Sequence, residues 1–141
     1  MSNWYNDVKD FHRAFGQRIG EKPELPNVEH SFERGLRKKL LHEEYMEYIA
    51  AENEDDIVEI ADALADIIYI ACGTAVSYGI PLDKVFEEVH RSNMAKLVDG
   101  KVLRRADGKV QKPEGWTPPD IAGVLKKSHD EINLRNAQIT L

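Results

Sequence analysis

No lysine or arginine occurs between Lys39 and Lys84, a stretch that nonetheless carries eleven Asp and Glu. The chain has one cysteine, Cys72, which excludes an intramolecular disulfide and any cysteine-based zinc site. Cys72 sits in an apolar run, so a buried, inert thiol is expected. That run, residues 67–76, is the longest apolar stretch and is too short to span a membrane. The N-terminus is polar and lacks a hydrophobic h-region, so no signal peptide is expected and a cytoplasmic location is the default. Internal repeats and low-complexity tracts are absent.

What is present is a divided charge. The 141 residues carry a net charge of −6. Residues 40–83 contribute −11 of it, and the remainder, with nineteen Lys and Arg against fourteen Asp and Glu, is +5. An acidic centre between basic flanks suits a metal ion with a polyanionic ligand better than duplex nucleic acid, which usually meets a net basic face. A solvated acidic helical hairpin would have the same composition.

The length fits one domain, residues 1–141, with a core over about 5–122 and a loosely held polar tail over 128–141. Trp4, Val8, Phe11 and Phe15 recur at helical spacing and predict a first helix over 3–16. Prolines make 21–26 a linker. Ser31 is the expected N-cap of a second helix reaching about Glu52, with Arg34 where a capping box wants Glu or Gln. A turn over 53–56 leads to a third helix, capped by Asp55 or Asp56 and ending near Tyr78. Its apolar second half predicts burial on most sides. Pro81 opens a fourth helix to about Leu97. The Asp107-Gly108 pair predicts a hairpin between Val102-Leu103 and Val110, and 121–127 a short helix. The fold class is therefore all-α: a four-helix core built on an antiparallel helix pair, plus a small C-terminal β-hairpin. So few helices leave the apolar third helix incompletely covered, which predicts an oligomer.

The chemistry lies in the antiparallel pair. Glu43, Glu44 and Glu47 read E-E-x-x-E on the second helix; Glu59 and Asp62 read E-x-x-D on the third. Residues three or four apart share a helix face, and about 1.5 Å of rise per residue brings the two groups to similar heights. Carboxylates ~4 Å apart repel by roughly 4 kcal/mol per pair at an effective dielectric near 20. The segment has no lysine or arginine to offset this, and a hard divalent cation with oxygen ligands does so. Asp66, a turn beyond Asp62, reads as a supporting acid beside the ligands, with direct ligation and a plain exposed helix acid as the alternatives.

These two motifs resemble the MazG-like, all-α NTP pyrophosphohydrolases, a superfamily that includes dimeric dUTPases and phosphoribosyl-ATP pyrophosphohydrolases. The resemblance extends through Arg91-Ser92-Asn93-Met94-Ala95-Lys96, an Asp-Gly-Lys hairpin and Pro118-Pro119-Asp120, covering about residues 5–122. It implies that Glu44, Glu47, Glu59 and Asp62 hold Mg²⁺, with Mn²⁺ as a substitute, and that Glu43 activates water. It implies cleavage of a nucleoside triphosphate between the α and β phosphates, in nucleotide-pool housecleaning. The implied partners are that nucleotide and further copies of the chain, as a homodimer or homotetramer, with no nucleic acid polymer and no membrane.

Asn93 and Lys96, three apart on the fourth helix, are by the same resemblance substrate contacts; a surface pair is the plain alternative. Arg37 either touches a phosphate or pairs with an acid. His12 lies on the first helix between Phe11 and Phe15, an aromatic edge that would stack a base; the plain alternative is that Phe11 and Phe15 fill the core. Trp116 is a packing cap or a lid. The enzymatic rival is a phosphoribosyl-ATP pyrophosphohydrolase, against which the hairpin and long tail after Lys96 count weakly. The non-enzyme rival is a helical module binding nucleotide or metal without turnover. A ferritin-like di-iron site needs Glu-x-x-His on two helices, and the chain has only Glu87-Glu88-Val89-His90.

Overall fold

The computed structural model describes residues 3–139, which divide into two compact units between Leu82 and Asp83. In the first unit, α1 spans Trp4–Ala14, α2 Ser31–Asn53 and α3 Ile57–Tyr78. Helix α3 packs against both α1 and α2. The expected all-α core and C-terminal hairpin are both present.

Each helix start has a local cause. The Asn3 side chain accepts the Asn6 N–H at 3.1 Å and opens α1. Ser31 is not the cap of α2. A 3₁₀ turn at Val28–His30 runs directly into that helix, so Ser31 is already helical and the preceding His30 makes no side-chain cap. Asp56 caps α3, accepting from the amides of Val58 and Glu59, both at 3.1 Å. Gly79, left-handed at φ 68°, ends α3.

The core of this unit is small: Val8 of α1 against Cys72 and Val76 of α3, with Tyr5, Ile19 and Leu82 around them. Cys72 is buried as expected, and burial pushes its thiol up. The first half of α3 remains open. Ile57, Ala61, Leu64 and Ile68 recur at 4-3-4 spacing and are all exposed.

In the second unit, α4 runs through to Met94 and α5 spans Ile121–Ile139. The hairpin forms one Asp-Gly pair earlier than predicted. Strands β1 (Leu97–Val98) and β2 (Lys101–Val102) are joined through Asp99 and Gly100, with φ of 50° and 73°. Two positive φ values suit the two-residue loop that a twisted hairpin prefers. Asp107-Gly108 closes only an isolated bridge, Arg104 to Val110. Helix α5 also outruns its predicted end at residue 127. Asp120 accepts the Gly123 N–H at its start, and the pairs Lys126–Asp130 and His129–Asn133 support its polar second half. No described helix is long and apolar enough to cross a membrane.

Candidate metal and nucleotide site

Helices α2 and α3 end and begin symmetrically about Asp55, so counting outwards brings Glu44 level with Asp66 and Glu47 near Asp62. The coordinates follow that register. Glu44, Glu47 and Asp66 each offer one oxygen, and the three lie within 4.8 Å of one another. Glu44 and Asp66 are half-buried and Glu47 is exposed. Glu44 Oε2 is buried with no hydrogen-bond partner.

The electrostatics are those of acids crowded without compensation. Burial first, then the negative charges of Glu47, Asp66 and Glu43, hold the Glu44 carboxyl above its usual range. Burial, then Asp62 and Glu47, raise Asp66. An acceptor buried without a donor is costly. Three converging carboxylates with such an orphaned oxygen form a hard donor set, and this set fits a divalent cation.

The remaining acids sit around this group. Asp62 is exposed and near enough to Asp66 to raise it. Glu59 is exposed one turn closer to the helix connection. Glu43 is half-exposed, with the Lys39 Nζ 3.9 Å away. The tight trio therefore contains Asp66, which was expected beside the ligands, and does not contain Glu59 or Asp62. The register explains this: Asp66 lies as far past Asp55 along α3 as Glu44 lies before it along α2.

Arg37 and His12 lie inside the three-helix unit. Arg37 is 6% exposed; its Nε donates to Thr74 Oγ1 at 3.1 Å and its Nη2 to the Ile70 carbonyl at 3.0 Å. Burial lowers its pKa, and the Glu33 carboxylate opposes that shift. Glu33 accepts the Ser77 hydroxyl at 2.9 Å. His12 is 2% exposed and its Nδ1 donates to the Arg18 carbonyl at 2.8 Å. Gly73 leaves room for both side chains, since a Cβ there would run into Arg37 Nη2 and His12 Nε2. Sequence reasoning missed this internal polar layer; its signal was Glu33 and Arg37 four apart, facing small residues of α3. Phe15 is exposed and stacked on Phe11, with ring centroids 4.3 Å apart, so it is not core.

Asn93 and Lys96 belong to the second unit. The Lys96 ammonium donates to Asn93 Oδ1 at 3.0 Å, so the two do share a face. Arg91 forms a two-pronged pair with Glu88, whose carboxyl is held down to about 2 by those bonds and by the Asp120 N–H.

A helical hairpin with converging carboxylates defines a class, the all-α pyrophosphohydrolases with a MazG-like fold, and comparison with known proteins agrees. A family model described as phosphoribosyl-ATP pyrophosphohydrolase matches residues 8–93, so the chain belongs to that family. A protein of Acanthamoeba polyphaga mimivirus, described as uncharacterized, is 35% identical over 88 residues, covering 56% of this chain and 32% of that protein. The chain thus spans about a third of the length of that relative.

Proposed function

We propose that the chain is a Mg²⁺-dependent pyrophosphohydrolase that cleaves a ribo- or deoxyribonucleoside triphosphate between the α and β phosphates, clearing unwanted nucleotides from the pool. The observation that carries this reading is the convergence of Glu44, Glu47 and Asp66 around the unpartnered Glu44 Oε2. Glu44, Glu47 and Asp66 would hold the cation, with Asp62 beside them and Glu59 able to extend the set. A bound divalent ion supplies charge neutralisation for phosphoryl oxygens and an attacking water of lowered pKa. Glu43 would accept the proton of the attacking water. The water oxygen forms the new P–O bond, the bridging P–O bond breaks, and pyrophosphate leaves. Asn93 and Lys96 contact the substrate in this reading, and Phe15 presents an open aromatic face.

The family match also favours phosphoribosyl-ATP as substrate. Pyrophosphate release should be followed across ribo- and deoxyribonucleoside triphosphates and phosphoribosyl-ATP with Mg²⁺, against Glu47→Ala and Asp62→Ala. Turnover lost in both variants supports the site; unchanged turnover rejects it. Binding without turnover across the panel favours a non-catalytic module.

We further propose that the working form is an oligomer, a homodimer or homotetramer. The exposed apolar stripe on α3, with Val58, Phe32 and Val28 also exposed, supports this.

A further inference from the structure

The second unit holds a cationic cluster around Trp116. The Trp116 ring has the Lys112 Nζ 4.7 Å and the Lys96 Nζ 5.5 Å from its centroid. The indole is fixed in place: its Nε1–H donates to the Ser92 carbonyl at 2.7 Å. Ser92, 1% exposed, returns its hydroxyl to the Thr117 carbonyl at 3.1 Å. Three residues on, the Asp120 N–H donates to Glu88 at 3.0 Å. The loop bearing Trp116 is thus strapped to α4 before any ligand arrives.

Arg13, Lys39, Lys84, Arg91, Arg105 and Lys126 each lie beside a carboxylate, whereas Lys96 and Lys112 are among the lysines and arginines that do not. Among the described residues neither Lys96 nor Lys112 has one within ion-pair distance, and Lys96 meets only the neutral Asn93 amide. The surrounding residues 91–112 carry seven Lys and Arg against two Asp, net +5 in a chain of net −6. A cation over a ring at a solvated site gains only about 0.5–1 kcal/mol. Two lysines held near one rigid ring therefore offer paired point charges to an anion with oxygens on successive phosphorus atoms.

We infer that Lys96, Lys112 and Trp116 form a polyphosphate clamp, which makes Lys112 and Trp116 substrate-binding residues in addition to Asn93 and Lys96. The inference rests on the reading of the substrate as a nucleotide polyphosphate. Trp116 gathers both ammonium groups about one ring, and the bound phosphates draw them off it.

The chain has two tryptophans, so Trp4→Phe leaves Trp116 as the reporter. The full chain with that change, free of metal, is titrated with inorganic tripolyphosphate, using sulfate at matched ionic strength as control. A saturable change in emission with tripolyphosphate alone is expected. Lys112→Gln should weaken it roughly 10-fold, the scale of one charged hydrogen bond, and Lys112→Arg should largely restore it. In turnover, Lys112→Gln should raise KM with kcat held. Flat emission, or Lys112→Gln binding tripolyphosphate as tightly as its parent, overturns the clamp. Lys112-dependent binding without turnover of any nucleotide upholds the clamp and sinks the pyrophosphohydrolase reading. Turnover with KM unmoved by Lys112→Gln does the reverse.

Discussion

Glu44 on α2 and Asp66 on α3 bring carboxylate oxygens within 4.8 Å of each other, although 22 positions separate them in the chain. With Glu47 beside them, both carboxyls are raised by burial and by neighbouring negative charge. The native state therefore holds protons that the unfolded chain has already released. Linkage fixes the sign: where the native state binds more protons, stability falls as pH rises. Metal-free protein should lose melting temperature as pH climbs through the raised values of Glu44 and Asp66. Millimolar Mg²⁺ should flatten that decline. Melting curves across pH with and without Mg²⁺ check this.

Glu44→Gln removes one negative charge and gives Glu47 and Asp66 a donor. Metal-free stability should rise by on the order of 0.5 kcal/mol, the scale of a relieved like-charge pair on a helix. Turnover should fall by roughly 100-fold or more, as expected for removing a group that stabilises charge in the transition state. Urea unfolding and pyrophosphate release, measured on the same preparation, test the opposed effects.

Arg37 is held by Thr74, the Ile70 carbonyl and the field of buried Glu33. Arg37→Met leaves Glu33 in the interior without its cation and should destabilise the chain by about 3 kcal/mol. Gly73→Ala forces Arg37 to move and should cost about 1–3 kcal/mol. Chemical denaturation measures both. If Arg37→Met instead raises KM at unchanged stability, Arg37 is a phosphate contact.

The α3 stripe of Ile57, Ala61, Leu64 and Ile68 should be covered in solution. Sedimentation should give a mass of at least twice the 16.1 kDa chain, and Leu64→Glu should lower it.

Much of this architecture was legible because helix signals are local. Asn3, Asp56 and Gly79 cap or stop helices through bonds spanning two or three residues, and the sequence displays them directly. The E-E-x-x-E and E-x-x-D motifs likewise announced two acidic rods. What was not legible depended on register and on packing. Asp66 joins the tight trio because it lies as far past Asp55 as Glu44 lies before it, a pairing set by helix register that the E-x-x-D spacing does not display. Ser31 looked like a cap, but the 3₁₀ turn before it had already set the helical path. Arg37 read as a phosphate contact or an acid's partner, and the sequence did not show that Gly73 makes room for it in the interior. Two Asp-Gly pairs competed for one hairpin. The flanking β-branched Val98 and Val102 favour strand pairing around the first, whereas Arg105 and Lys109 flank the second.

The central claim is that Glu44, Glu47 and Asp66 hold a divalent cation, and calorimetric titration of Mn²⁺ into the metal-free chain tests it most directly. Saturable binding in the parent, abolished by Glu44→Gln and by Asp66→Asn while both variants stay folded, is the predicted result. Binding of equal affinity in the parent and both variants, or none in the parent, would contradict it.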